Sequence, residues 1–136
     1  FNHKTSTWIA KNHGIVVVED LKIKNMSKSA KGTQENPGIN VAAKSGLNRS
    51  ILRQGWGQLG AFLQYKTVWN GGALVKVDPK RTSQTCSRCG EQDKAYRKTQ
   101  ARFVSSGCDF DCNADLNAAK NILTRGLRDS ASRDAA

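Results

Sequence analysis

The sequence predicts an α/β fold, on three observations. Ile15-Val16-Val17-Val18-Glu19-Asp20-Leu21 begins with four consecutive β-branched residues after Gly14 and reads as a buried strand in a parallel arrangement. Ala73-Leu74-Val75-Lys76-Val77-Asp78 reads as a second strand, stopped by Pro79. Around these lie two helical stripes, Leu52/Trp56/Leu59/Leu63 and Leu116/Ala119/Leu123. The remaining elements follow in order. Lys4 to Asn12 looks like the end of a helix, with Trp8 and Ile9 apolar and Gly14 as its stop. Lys22 to Asn48 is rich in Lys, Ser, Asn and Gly, contains Pro37 and lacks a hydrophobic period, so it is expected as a long loop. Ser50 caps a helix expected to run to about Trp69, weakened by Gly55, Gly57 and Gly60 at roughly 1 kcal/mol each against alanine. Gly71-Gly72 ends it. A cysteine-bearing segment then interrupts the path from the second strand to a helix from Asn113 to about Arg125. Gly126 is expected to stop that helix, leaving 126–136 as a disordered tail.

Composition narrows the function. At 136 residues the chain suits one modest domain, or a small domain with an insert, and buries a core without disulfides. Lys+Arg is 22 against Asp+Glu 11, a net charge of +11, which points to a polyanionic partner, most simply nucleic acid. Lys76, Lys80, Arg81, Arg88 and Arg97 flank or occupy the cysteine segment and are candidate phosphate contacts. No apolar run approaches a membrane span and no signal-peptide pattern is present, so the expectation is a cytoplasmic protein without a membrane partner. The chain begins at Phe1 and its one methionine is Met26, which leads to the expectation of a fragment.

All four cysteines, Cys86, Cys89, Cys108 and Cys112, fall in one stretch. Cys86 and Cys89 have two residues between them, which lets a tight turn aim both sulfurs at one ion. The 18-residue gap to Cys108 lies within the spacing of two halves of a zinc ribbon. Clustered cysteines in a cytosolic chain favour metal over disulfides. Glu19 and Asp20 end the first strand, where α/β sheets place ligands, although an acidic strand exit into solvent is the commoner arrangement. Only one of the two can face a given side of the sheet. Asp115 lies in the first turn of the helix capped by Asn113, where the helix dipole alone stabilises it by about 0.3–1 kcal/mol. Together, in a basic protein, these carboxylates point to a nuclease using magnesium or manganese, whose two-metal chemistry takes acidic side chains from separated elements. His3 and His13 receive no role. Trp56, Phe62, Tyr65 and Trp69 keep helical spacing and are assigned to core packing.

These residues, taken jointly and in order, resemble the C-terminal part of the transposon-encoded TnpB/OrfB proteins of bacterial insertion sequences, relatives of the type V CRISPR effectors. The stretches that carry the resemblance are His3-Lys4 with Ser6-Thr7, Ile15 to Met26, Ser45-Gly46-Leu47-Asn48, Thr82 to Gly90, and Asn113 to Leu123. The resemblance implies a partial RNase H-like, RuvC-type domain with an inserted zinc ribbon, and cutting of DNA under a guide RNA. On it, 1–81 is the partial nuclease domain, 82–112 the ribbon and 113–125 the last catalytic helix. By position, Glu19 is the second catalytic carboxylate and Asp115 the third, both holding magnesium or manganese, with Asp20 non-catalytic. Cys86, Cys89 and Cys108 are implied zinc ligands. Two departures stand out. The family's first catalytic aspartate lies on an early strand, upstream of these residues. The second ribbon half normally reads Cys-x-x-Cys-Gly, whereas here Ser105, Ser106, Gly107, Cys108 and Asp109 occupy those positions, with Cys112 as a candidate fourth ligand. The expectation is the C-terminal portion of an RNA-guided DNA endonuclease, inactive alone, from the bacterial or archaeal cytoplasm. The alternative is a non-catalytic zinc-ribbon DNA-binding protein or a transposase remnant.

Overall fold

In the computed structural model, which describes residues 1–134, the chain divides within its two longer strands. One unit comprises Phe1–Val16 and Leu21–Leu74, the other Val17–Asp20 and the chain from Val75 onward. β1 (Ile15–Glu19) and β2 (Ala73–Val77) pair in a two-stranded sheet. The Ala73 N–H donates to the Gly14 carbonyl at one end (2.8 Å) and the Asp20 N–H to the Val77 carbonyl at the other (2.8 Å). Both strands therefore run in the same direction, as the apolar run predicts. The expectation of a buried β1 is corrected: Ile15 is 47% exposed and Val16 to Glu19 are half-buried. A strand is buried only where both its faces and its edges are covered.

The first unit is helical. α1 (Asn2–Asn12) packs along α4 (Trp56–Trp69), where Ser6 and Ala10 of α1 and Leu63 and Thr67 of α4 are buried. Between them the Lys66 ammonium donates to the His3 carbonyl (2.7 Å) and to the Ser6 and Thr7 hydroxyls (both 2.8 Å). Burial pushes its pKa down. The end of α4 is as expected: the Gly72 N–H reaches the Thr67 carbonyl and the Gly71 N–H that of Val68, with Gly71 left-handed at φ 73°.

Three expectations in this unit are corrected. The helix from Ser50 to Trp69 is two helices, α3 (Val41–Arg53) and α4, broken where Gly55 turns left-handed at φ 65° and its carbonyl accepts from the Asn2 amide (3.2 Å). The loop expected over 22–48 contains α2 (Ile23–Met26) and the first half of α3. α3 buries no residue, and polar ties hold it to the preceding segment, from the Lys44 ammonium to the Met26 carbonyl (2.6 Å) and from the Asn48 amide to the Lys28 carbonyl (3.2 Å). Such a helix has no hydrophobic period to read. The apolar stripe is broken accordingly: Leu63 is buried while Leu52 is 60% exposed, and Trp56 and Trp69 are exposed rather than core.

The second unit is built around a small ribbon. β3 (Arg102–Val104) and β4 (Asp111–Asn113) form an antiparallel pair with Phe103 opposite Cys112. Phe103, Tyr96, Cys86 and Ala114 make its core, with Cys108, Phe110 and Cys112 packed against it. β4 leads directly into α5 (Ala114–Asp134), and the Asn113 carboxamide caps it as expected, accepting from the Asp115 and Leu116 N–H groups (2.9 and 3.1 Å).

α5 departs from expectation in two ways. It runs through Gly126 to Asp134, so most of the segment expected as a tail is helix; Ala135 and Ala136 lie outside the described residues. Its inward face is Ala114, Asn117 and Gly126, whereas Leu116, Ala119 and Leu123 are exposed. Gly126 is there for space: a Cβ on it would lie 2.4 Å from Cγ1 and 2.7 Å from Cγ2 of Val17. On helix propensity alone Gly126→Ala would stabilise by about 1 kcal/mol. Because Val17 is β-branched and stiff, the variant is expected instead to lower the urea midpoint of unfolding at constant m. A raised midpoint would show that the contact relaxes freely.

Candidate metal centre and acidic cleft

The segment from Thr82 to Glu91 is held on α5 by two asparagines one turn apart. The Asn117 side chain, fully buried, accepts from the Ser87 N–H (2.9 Å) and donates to the Thr85 carbonyl (2.8 Å). Asn121 donates to the carbonyls of Thr82 (2.9 Å) and Thr85 (2.7 Å). This anchorage presents the Cys86–Cys89 turn to the Cys108 turn. The Sγ atoms of Cys86, Cys89 and Cys108 all lie within 4.8 Å of one another, with Cys86 and Cys108 at 3.7 Å. A zinc ion with metal–sulfur arms of about 2.3 Å has tetrahedral edges near 3.8 Å, so these three thiols fit a metal. Cys112 is not in the group. Its place in β4 opposite Phe103 makes it part of the ribbon core.

The thiols differ electrostatically. Burial pushes the Cys86 pKa up, but the backbone N–H groups of Cys89 and Arg88 and the Cys89 and Cys108 side chains outweigh it, lowering it to about 7. For Cys108 the Ser105 hydroxyl favours the thiolate, but burial and the neighbouring thiols prevail and the pKa rises. Burial, reinforced by Cys86 and Asp111, raises that of Cys112.

Glu19 and Asp115 line one open cleft of about 400 Å³, with Thr82, Arg97, Ala118 and Ala119 among the other walls. The buried Thr82 hydroxyl donates to Glu19 Oε1 (2.7 Å). Asp115, its side chain 81% exposed, pairs with the Arg97 guanidinium at 3.3 Å. Asp20 follows the strand and is half-buried. His3 and His13 lie in or beside α1, in the other unit. Lys76, Lys80, Arg81 and Arg88 are exposed, and Arg97 is half-buried. Sequence reasoning missed Thr82, Asn117 and Asn121. For the two asparagines the signal was present as a pair four apart on a helix, a spacing that puts both on one face.

Similarity to known proteins agrees with this geometry. A family model described as Cas12f1-like, TNB domain, matches residues 56–122, which contain the cysteine turns and the start of α5. The chain is 52% identical over 124 residues to InsQ of Escherichia coli (strain K12), a protein assigned as an RNA-guided DNA endonuclease; the match takes in 91% of this chain and 31% of InsQ. It is 47% identical over 58 residues to the CRISPR-associated endodeoxyribonuclease Cas12f1 of Sulfoacidibacillus thermotolerans, covering 43% of this chain and 14% of that protein. The cryo-EM structure of a Cas12f1–sgRNA–target DNA complex superposes with a TM-score of 0.57 at 28% identity, over 89% of this chain and 32% of that one. Fold and cysteine turns thus define a mixed α/β chain of the Cas12f1-like kind. The chain belongs to the TnpB/OrfB family, to which those type V effectors are related. It spans about a third of the length of InsQ.

Asn117 provides a direct test of the anchorage. Asn117→Ala orphans the Ser87 N–H beneath the helix and is expected to cost roughly 1–3 kcal/mol in urea unfolding. An unchanged midpoint would mean that water replaces the amide without loss.

Proposed function

We propose that the chain is the C-terminal portion of an RNA-guided, metal-dependent DNA endonuclease with a RuvC-type, RNase H-like centre and an inserted zinc ribbon. The observation that carries this reading is the cleft shared by Glu19 and Asp115, one from a strand end and one from the first turn of a helix. Magnesium or manganese held there would supply the Lewis acidity for phosphodiester hydrolysis. Glu19 and Asp115 are its proposed ligands, and oxygen donors suit such hard cations. Thr82 acts on Glu19: by donating to Oε1 it fixes the carboxylate's rotation and leaves Oε2 for the cleft. Arg97 offsets the charge of Asp115 and offers a guanidinium fork suited to phosphate. Two carboxylates are fewer than such centres use, and the resemblance assigns the remaining one, the family's first catalytic aspartate, to an earlier strand. On this reading the 136 residues bind nucleic acid, both guide RNA and DNA, but do not cut it alone.

The test is a graft of these residues in place of the matched region of InsQ, assayed for guide-directed DNA cleavage. Glu19→Gln and Asp115→Asn are expected to abolish cleavage while leaving DNA binding intact, and Asp20→Asn to be mild. Thr82→Val should raise the magnesium concentration needed for half-maximal rate, with Thr82→Ser restoring it. Full cleavage by the Glu19→Gln graft would overturn the assignment.

Binding by the isolated chain should be electrostatic. If Lys76, Lys80, Arg81, Arg88 and Arg97 each meet a phosphate of duplex DNA, log K should fall against log salt with a slope of about −4 to −5. Arg88→Glu should flatten that slope by about 1. An affinity indifferent to salt would contradict a phosphate-binding surface.

A further inference from the structure

The two cysteine turns are copies of one backbone motif, set 19 positions apart along the chain (Cys86 to Ser105). In the first, the Cys86 N–H donates to the carbonyl of Glu91, five residues on, at 2.8 Å, and Gly90 turns left-handed at φ 82°. In the second, the Ser105 N–H donates to the carbonyl of Phe110, again five residues on, at 2.9 Å, and Asp109 turns left-handed at φ 53°. Cys89 and Cys108 occupy the matching fourth positions. Ser105 therefore stands in the backbone place of Cys86, while Cys112 lies two residues past the motif, where β4 has begun.

The side chain follows the backbone. Ser105 is fully buried, and its hydroxyl oxygen lies 3.7 Å from Cys89 Sγ and 3.6 Å from Cys108 Sγ. For a tetrahedral ion with sulfur arms of about 2.3 Å and an oxygen arm of about 2.1 Å, the mixed edge is near 3.6 Å. Both separations fall on it.

We infer that the ribbon's metal centre has three thiolates and one hydroxyl, with Ser105 as the fourth ligand and Cys112 as a packing residue. Binding of a divalent ion releases the thiol protons of Cys86, Cys89 and Cys108, while serine coordinates through an oxygen lone pair and keeps its proton. The filled site then carries one net negative charge, where four thiolates would leave two. A neutral oxygen donor also binds zinc more weakly than thiolate, so the ion should exchange more readily than from an all-sulfur site. The inference concerns metal binding alone and stands apart from the nuclease reading.

The experiment titrates the reduced, metal-free chain with cobalt(II) without oxygen, then displaces cobalt with zinc, monitoring thiolate-to-cobalt charge transfer. The wild type should show a three-sulfur spectrum. Ser105→Cys should intensify the charge-transfer band by about a third and tighten zinc by about tenfold or more. Ser105→Ala should weaken zinc binding. Cys112→Val, which keeps an apolar side chain in the core, should leave both spectrum and affinity unchanged. Ser105→Cys is a gain, which misfolding cannot imitate, so the proposal stays testable if a loss variant unfolds. Loss of charge-transfer intensity in a Cys112→Val protein with unaltered far-UV circular dichroism would overturn it. So would Ser105→Cys binding zinc no more tightly than the wild type.

Discussion

The Asn117 carboxamide uses both of its ends at once, accepting from the Ser87 N–H and donating to the Thr85 carbonyl. The ribbon depends on that exchange. Its core is small, a phenylalanine, a tyrosine and a few small side chains, and its segments are mostly turns. Turns leave backbone polar groups without ladder partners, and burying them unpaired costs more than the pairs return. Asn117 and Asn121 supply the missing partners from a rigid helix. The same anchorage fixes Thr82, whose carbonyl accepts from Asn121 and whose hydroxyl donates to Glu19. One polar helix face therefore sets both the cysteine turns and the orientation of a candidate catalytic carboxylate.

The repeated turn separates what backbone and side chains contribute. The five-residue N–H to carbonyl bond and the left-handed residue after the turn's second cysteine position, Cys89 or Cys108, recur in both halves. Glycine takes that left-handed position without cost in the first half. Aspartate takes it in the second, being among the few other residues that tolerate the region. Since the backbone alone shapes the turn, the residue at its first position can change from cysteine to serine without altering the turn, which is what the inferred hydroxyl ligand requires. The sulfur at Cys112, by contrast, belongs to a strand whose register pairs it with Phe103.

This difference explains what the sequence disclosed. β1 and β2 were legible because β-branched runs and a terminating proline act locally. The Asn113 cap and the Gly71-Gly72 stop were legible for the same reason. The convergence of Cys86, Cys89 and Cys108 followed from their spacing. The inward face of α5 was not legible from hydrophobic periodicity, because that face is alanine, asparagine and glycine, and the leucines it carries point outward. Gly126 was misread as a stop because glycine serves equally where a neighbour, here Val17, leaves no room for a Cβ. α3 was missed because it is held by polar ties that create no apolar stripe.

Charge connects the cleft to the rest of the chain. A net charge of +11 draws a polyanion to the surface, yet the cleft concentrates carboxylates. Of its charged lining residues, Glu19 and Asp115 are opposed by Arg97 alone, leaving one excess negative charge. A phosphodiester entering that cleft is repelled. One divalent cation reverses the balance to a single positive charge, and the same phosphate is then attracted. Exposure of Asp115 weakens each step through solvent screening but does not change its sign. On the proposed reading, cation loading and phosphate entry are therefore linked in free energy: each strengthens the other by the same factor, as reciprocity between two sites requires. Arg97 tunes that linkage, because a guanidinium already paired with Asp115 competes with the cation and, once displaced from that pair, is available to the phosphate.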